Sequence, residues 1–307
     1  MTLLSPMTDR TRVPVRAGTE IVVPASVANL GPGFDAMSVA VNLYLRLTVV
    51  DLDPSRRDGV DWEFTGAAPA GENRIDSAFR LARARGEAAT PSVRVRVESD
   101  IPQAAGLGSS AAATVAGLRL YEALTAPRAD CLTLASELEG HPDNAAAALL
   151  GGLTISCQRE DGRIIARSSR WPEDVKLVVA TPDMGLQTSH ARGVLPKTIP
   201  LADAIFNLQR ALLFVRALES GRYDDVREAM KDRWHQPARA ALVPGLAEAM
   251  ALDDSSILGV CLSGAGPSVV ALSAHDTPRA AAMLDDLYKR LGVPCTIRTL
   301  SAHQPGH

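Results

Sequence analysis

Two glycines spaced two apart, followed by two serines and a run of alanines, suit a backbone that must wrap an anion. The stretch is Gly106-Leu107-Gly108-Ser109-Ser110-Ala111-Ala112. Gly106 and Gly108 allow positive φ and close approach of a ligand. Ser109 and Ser110 stand where a helix would begin, and free N–H groups at a helix start favour negative charge. A phosphate chain is the natural ligand, and small residues after Ser110 keep the first turns narrow. A plain glycine turn with a serine cap would read the same way. No G-x-x-x-x-G-K-[ST] string and no protein-kinase signature occurs.

Five further stretches carry polar groups beyond the needs of a packed core. Asn29-Leu30-Gly31-Pro32-Gly33-Phe34-Asp35 is a turn in which Asn29 and Asp35 could bind a ligand or simply satisfy backbone. Glu139-Gly140-His141-Pro142-Asp143-Asn144 precedes an apolar run, so Asp143 or Asn144 could equally be a helix cap. Arg192 follows Gln187-Thr188-Ser189-His190-Ala191, and Arg239 follows Trp234-His235-Gln236-Pro237-Ala238. A guanidinium fork fits a planar carboxylate, although a lone arginine is commonly a solvated charge. Leu262-Ser263-Gly264-Ala265-Gly266-Pro267-Ser268 is a second glycine turn before a strand.

These stretches sit among alternating strand and helix signals, the mark of an α/β or α+β protein. Ile21–Val23, Leu43–Val50, Lys176–Ala180 and Val269–Leu272 read as strands, and Val93, Val95 and Val97 alternate with charged residues. Ser109–Leu124 is an alanine-rich helix feeding from the phosphate cradle. Asp203 is expected to cap a helix whose Ile205, Leu208, Leu212 and Val215 share one face, stopping at Gly221. Leu284, Leu287, Tyr288 and Leu291 repeat the pattern before Gly292. Loops are expected at Asp53–Gly59, Gly66–Glu72 and Pro182–Pro200. The domain reading is a flexible tail over 1–20, one domain over 21–170 and another over 171–307.

Composition bounds the remaining options. The chain has 307 residues, is 46% hydrophobic and carries a formal charge of -3, which disfavours nucleic acid and anionic membrane surfaces as partners. Cys131, Cys157, Cys261 and Cys295 form no C-x-x-C and read as reduced thiols of a cytoplasmic protein. The six histidines show no zinc spacing. The N-terminal stretch lacks the apolar core of a secretory signal, no run is long enough to span a membrane, and Met7 is an alternative start.

The three glycine motifs, in this order and content, resemble those of the GHMP small-molecule kinase superfamily, and most of all its homoserine kinase family. The resemblance runs from about residue 20 to about residue 300. It implies an α+β fold, with an N-terminal domain like ribosomal protein S5 domain 2 and a C-terminal ferredoxin-like α/β domain. It also implies ATP and Mg²⁺ as cofactors, L-homoserine as the small-molecule substrate, and a homodimer as a common arrangement. Residues 106–111 would wrap the ATP phosphates, with Gly264 and Gly266 closing over them and Asn73 contacting adenine. Ser110 and Glu139 would hold Mg²⁺, with Glu137 close enough to compete. Asn29, Asp35, His141, Arg192 and Arg239 would bind the amino acid, Asp35 at its ammonium and the arginines at its carboxylate. That charge pattern suits a zwitterion and not mevalonate or a sugar. Asp143, Asn144 and Thr188 would lie at the transferring group. The proton is left to Asp143, or to the phosphoryl oxygens with Asn144 nearby. Two departures stand out: Ala104 and Ala105 replace an expected arginine or glycine, and Ala145-Ala146-Ala147 replaces Val-Ala-Pro. Another alcohol acceptor, a non-catalytic nucleotide-binding regulator and an RNA-binding S5-like protein are the rival readings.

Overall fold

The run of alternating valines and charges becomes a strand with one dry face: Val93, Val95 and Val97 are buried, while Arg94 and Arg96 reach solvent. In the computed structural model of the chain, residues 15–66, 71–86, 88–125 and 130–306 are described. The first part is built from β1 (Glu20–Ala28), β2 (Met37–Arg57), β3 (Val60–Phe64), α1 (Arg74–Gly86) and β4 (Pro91–Ser99). It continues through α2 (Ser109–Thr125), α3 (Cys131–Glu139), α4 (Asp143–Leu150), β5 (Leu153–Gln158) and β6 (Ile164–Ser169). The strands form one six-stranded sheet in the order β3-β4-β2-β5-β6, with β1 also paired to β2. Only β3 and β4 run parallel, joined by α1 as a crossover.

The second part holds β7 (Lys176–Pro182), α5 (Thr188–Gly193), α6 (Leu201–Ser220), α7 (Val226–Ala229), α8 (His235–Arg239) and α9 (Leu246–Met250). Then come β8 (Gly259–Leu262), β9 (Val269–Ser273), α10 (Thr277–Arg290) and β10 (Cys295–Leu300). Its four antiparallel strands lie in the order β10-β7-β9-β8. Counted within this sheet, that is fourth, first, third, second, the ferredoxin-like order. Period-two alternation splits its faces. Leu177 and Val179 join the large core shared with the first sheet, whereas Val178 and Ala180 pack with Leu284, Leu287 and Tyr288 of α10. The chain end closes the seam: Asn42 donates to Ser301 O at 3.0 Å, and Gly152 to His303 O at 2.7 Å.

Several expectations change. The strand expected at Leu43–Val50 extends to Arg57 and takes in most of the supposed loop at Asp53–Gly59, because Asp53 and Arg57 still pair with Ser92 and Pro91. The supposed loop Pro182–Pro200 contains α5. Pro200, not Asp203, stands at the N-cap of α6, and Asp203 faces Arg233 at 3.4 Å instead. Most of the face chosen for burial on α6 is turned outward: Ile205, Leu208 and Leu212 are 46%, 61% and 66% exposed, in line with Leu201 at 77%, and of the four chosen residues Val215 alone packs on the core. Asn207, Phe214, Ala217 and Leu218 supply the buried side. Of the expected tail, 1–14 lies outside the described residues, as do 67–70 of the expected loop. Val15 packs on the core, and Gly18 donates to Val49 O at 2.8 Å.

Candidate active site

The backbone between β4 and α2 folds into the cradle that the glycines imply. Gly106 has φ 76° and Gly108 φ 71°, and Ala104 between them and β4 is itself left-handed at φ 51°. A Cβ on Gly106 would lie 2.5 Å from Ser263 O and 2.7 Å from Gly266 O. The second glycine turn therefore sits directly on the first. Ser263 Oγ donates to Gly106 O at 2.7 Å, and Ser268 N donates to Ala105 O at 3.2 Å. A Cβ on Gly108 would collide with Ser26 Oγ. Ser26 N in turn donates to Leu107 O at 3.1 Å, and Ser26 Oγ to Asn144 Oδ1 at 2.7 Å. Leu107 itself points into the core, so of this stretch it offers a ligand only backbone.

Ser110 and Thr114 stand one turn apart on α2 and share a face. Both hydroxyls donate to Glu139 Oε1 at the end of α3, at 2.9 and 2.7 Å. Glu137 turns away and pairs with Arg85 at 2.9 Å. Ser110 and Glu139 thus offer two hard oxygen donors side by side at the mouth of the cradle, a set suited to Mg²⁺.

A cavity of about 490 Å³ opens beside this pair, bounded by Gly106, Ser110, Glu139, Thr188, Gly264 and Gly266. Asn29, Asp35, His141, Asp143, Asn144, Arg192 and Arg239 line the same space, as do Gly108, Ser109 and Ala111. A second cavity of about 510 Å³ continues past Ser109 and Ser110 to Phe64, Ile101 and Asn73. There Asn73 Oδ1 caps α1, accepting from Ile75 N at 3.1 Å and Asp76 N at 3.4 Å. Its carbonyl oxygen is committed, and its amide nitrogen is the group that remains to face a ligand.

Opposite charges crowd the acceptor end. Asp35, held at φ 55°, meets Arg192 through two bonds of 2.6 and 3.0 Å. The sequence reading sent these two to opposite ends of a zwitterion, and the structure pairs them with each other. Asp143 Oδ1 collects His141 Nδ1 at 2.8 Å, Asn144 N at 2.8 Å and Asn144 Nδ2 at 3.4 Å. Asp35, His141 and Asp143 bring ligand atoms within 4.8 Å of one another. Burial opposes a charge on His141, but the hydrogen bond and charge of Asp143, with Asp35 beyond, outweigh it and hold the imidazole above its ordinary value.

Arg239 is 1% exposed. Its Nε donates to Ala191 O at 3.0 Å and its Nη1 to Gly264 O at 3.0 Å. Burial, then Arg192, lowers it to about 10, so it stays charged at neutral pH. Asn29 Nδ2 donates to the same Gly264 O at 3.0 Å. The Phe34 ring lies under both guanidinium groups, 5.3 Å from Arg239 and 5.5 Å from Arg192. Ser26, Phe34, Thr114, His235 and Ser263 are the residues that sequence reasoning left without a role. All but Ser26 and Thr114 lie inside the quoted motifs, and the i, i+4 spacing from Ser110 was the one clue to Thr114.

Comparison with known proteins gives concordant results. The family patterns described as GHMP kinases N terminal domain and GHMP kinases C terminal match residues 73–152 and 214–291. A homoserine kinase of Moorella thermoacetica is 39% identical over 286 residues, 91% of this chain and 95% of that one. A homoserine kinase of Thermus thermophilus is 42% identical over 259 residues, 82% of this chain and 86% of that one. The crystal structure of homoserine kinase from Cytophaga hutchinsonii superposes with a TM-score of 0.82 at 24% identity, over 96% of this chain and 98% of that one. At that identity the likeness speaks for the fold.

Proposed function

The chain belongs to the GHMP kinase family and, within it, to the homoserine kinases, and on that premise we propose that it transfers the γ-phosphoryl group of ATP to the hydroxyl of L-homoserine. The products are ADP and O-phospho-L-homoserine, an intermediate of threonine synthesis. The observation that carries the reading is the meeting, in one cavity, of a backbone phosphate cradle with a charge set made for a zwitterion.

Phosphoryl transfer asks for alignment and charge neutralisation more than for covalent chemistry. The N–H groups of residues 106–111 face the phosphates, with the start of α2 behind them. Ser110 and Glu139 are the residues that would hold Mg²⁺, which when bound neutralises phosphate charge. Asn73 is the proposed contact to adenine. An amino-acid substrate inserts into the Asp35–Arg192 pair, its ammonium replacing the guanidinium at Asp35 and its carboxylate replacing Asp35 at Arg192, with Arg239 as second holder. Neither half-buried charge then loses a partner. Mevalonate has a carboxylate but no ammonium and would leave Asp35 unpaired, whereas a sugar has neither group and would leave the Asp35–Arg192 pair closed.

In the transfer, the substrate oxygen bonds to the γ-phosphorus as the bond to the β-phosphate oxygen breaks. Asn29, His141 and Thr188 orient the acceptor and the moving group. Three donors occupy Asp143 Oδ1, so Oδ2 is the atom proposed to take the hydroxyl proton, with Asn144 held beside it by Ser26. An ADP-release assay with MgATP and L-homoserine, L-serine, L-threonine, mevalonate and galactose tests the reading. Preference for L-homoserine supports it; turnover of mevalonate or galactose instead rejects the acceptor assignment.

Two coarser matters follow. No described helix is long and apolar enough to cross a membrane, and the cytoplasm is the proposed location, where four free thiols are at home. A homodimer is proposed on the outward stripe of α6. Under a two-fold axis an antiparallel copy lays Ile205 against Leu212 and Leu208 against its own mate, so the stripe is self-complementary. Light scattering should give a dimer that Leu208→Glu converts to monomer; a wild-type monomer rejects the pairing.

A further inference from the structure

One buried side chain joins the two halves of the acceptor site and has no part in the chemistry above. His235 begins α8, is 0% exposed, and lies one turn before Arg239 on the same face. Its Nε2 sits 2.7 Å from Gly31 O in the acceptor turn, and 3.6 Å from Asp232 Oδ2. Both neighbours can only accept, so Nε2 carries the hydrogen. Nδ1 faces Arg239 Nη1 at 3.3 Å. A guanidinium can only donate, so Nδ1 must be bare. The opposite tautomer would set donor against donor at Arg239 and a lone pair against two acceptors. The surroundings therefore fix the proton without reference to any ligand.

The imidazole is itself held. Asp232 accepts from Asn207 Nδ2 at 2.6 Å, from Trp234 N at 2.8 Å and from Gln236 N at 2.7 Å, which pins the start of α8 to α6. The Phe34 ring covers His235 at 5.2 Å. A chain of contacts thus runs from Asn207 through Asp232 and His235 to the guanidinium. With Nη1 shared between His235 and Gly264 O and Nε spent on Ala191 O, the group left for a carboxylate is Nη2.

We infer that His235 is a positioning residue for the acceptor: its bare Nδ1 aims Arg239 at the substrate carboxylate, while its Nε2–H locks the Gly31 turn to the same arginine. This rests on the homoserine kinase reading for the identity of the substrate, but not for the tautomer. It also gives the site a built-in acid sensitivity. A second proton could enter only at Nδ1, facing Arg239, and would push the guanidinium away. Burial is the largest influence and holds the imidazole below its ordinary value. Asp232, the Gly31 carbonyl and Asp35 oppose it and Arg239 reinforces it, while Cys261 on β8 borders Gly31 as a buried thiol pushed up to about 12. The acid limb therefore falls below pH 6.5.

Two substitutions separate the ring nitrogens. His235→Asn keeps an acceptor near the place of Nδ1, and His235→Gln keeps a donor near the place of Nε2. His235→Gln should raise KM for L-homoserine about tenfold, His235→Asn by less than about threefold, with KM for ATP within about twofold in both. The fall of 1/KM for L-homoserine on the acid side should be shallower in His235→Asn, since the His141 contribution is common to both proteins. Nitrogen-15 NMR of the wild-type protein reads the tautomer even if neither variant folds. An Nδ1–H tautomer overturns the inference, as does an equal rise in both KM values in both variants. No turnover of L-homoserine by the wild type would reject the substrate reading, and the NMR result would still decide the tautomer.

Discussion

The cradle proposed for phosphate is made by one continuous stretch of backbone, residues 106–112, whereas the proposed acceptor end is made by side chains from four stretches separated by about two hundred residues at most. The first uses N–H groups and glycine geometry, with one neighbouring turn clamped upon it through Ser263 and Ser268. The second uses side-chain charge, buried at Arg239 and Asp143 and half-buried at Asp35, Arg192 and His141. A backbone site is hard to remove by trimming side chains and easy to damage by adding one. A charged site is the reverse, because deleting one partner strands the other in a poorly solvated place.

The largest effect should therefore come from the acceptor end. Arg239→Ala removes a buried cation that also ties Ala191, Gly264 and His235 together. It should lower kcat/KM for L-homoserine by about 10³-fold while ATP binding survives, measured by steady-state kinetics with each substrate varied. Equal losses for both substrates would mean that the two regions are not separable. Ser110→Ala and Glu139→Gln come next, each lowering kcat about 10²-fold and raising the Mg²⁺ needed for half-maximal rate. Glu137→Gln, on the face with Arg85, should leave both quantities unchanged.

Gly106→Ala probes the backbone region by addition. A Cβ 2.5 Å from Ser263 O, at φ 76°, must push the two glycine turns apart. It should raise KM for ATP about tenfold and cost about 1–3 kcal/mol of stability by denaturant titration, with KM for L-homoserine little changed. The smallest effect concerns His141. Its value is raised in the folded protein, so the stabilisation is fully present below its unfolded value near pH 6.5 and lost as pH rises through the folded value. A thermal-stability profile should decline slightly above pH 6.5, and His141→Gln should remove that decline. A profile unchanged by the substitution would show that the pair with Asp143 forms without a charged imidazole.

How much was legible follows the same division. The Gly106–Ala112 cradle is read from adjacent residues because glycine spacing and a helix start are local. The alternation at Val93–Val97 is read for the same reason. The α6 face was misread because periodicity marks an apolar stripe without saying whether sheet or solvent lies against it. Asp203 has a capping residue's chemistry, but Arg233 offered it a partner thirty residues away. Asp35 and Arg192 were each legible as charges, while their pairing across 157 positions was not.

By itself the sequence determined the family, the α+β alternation, the glycine turn before α2 and the identity of the charged residues, since each rests on near neighbours in the chain or on motif content. The tertiary structure alone decided which charges meet. It turned Glu137 away and Glu139 inward, committed Asn73 Oδ1 to a helix cap, and set His235 between Gly31 and Arg239. Those outcomes depend on where separate elements land after two sheets pack on a shared core, and local spacing carries no record of that geometry.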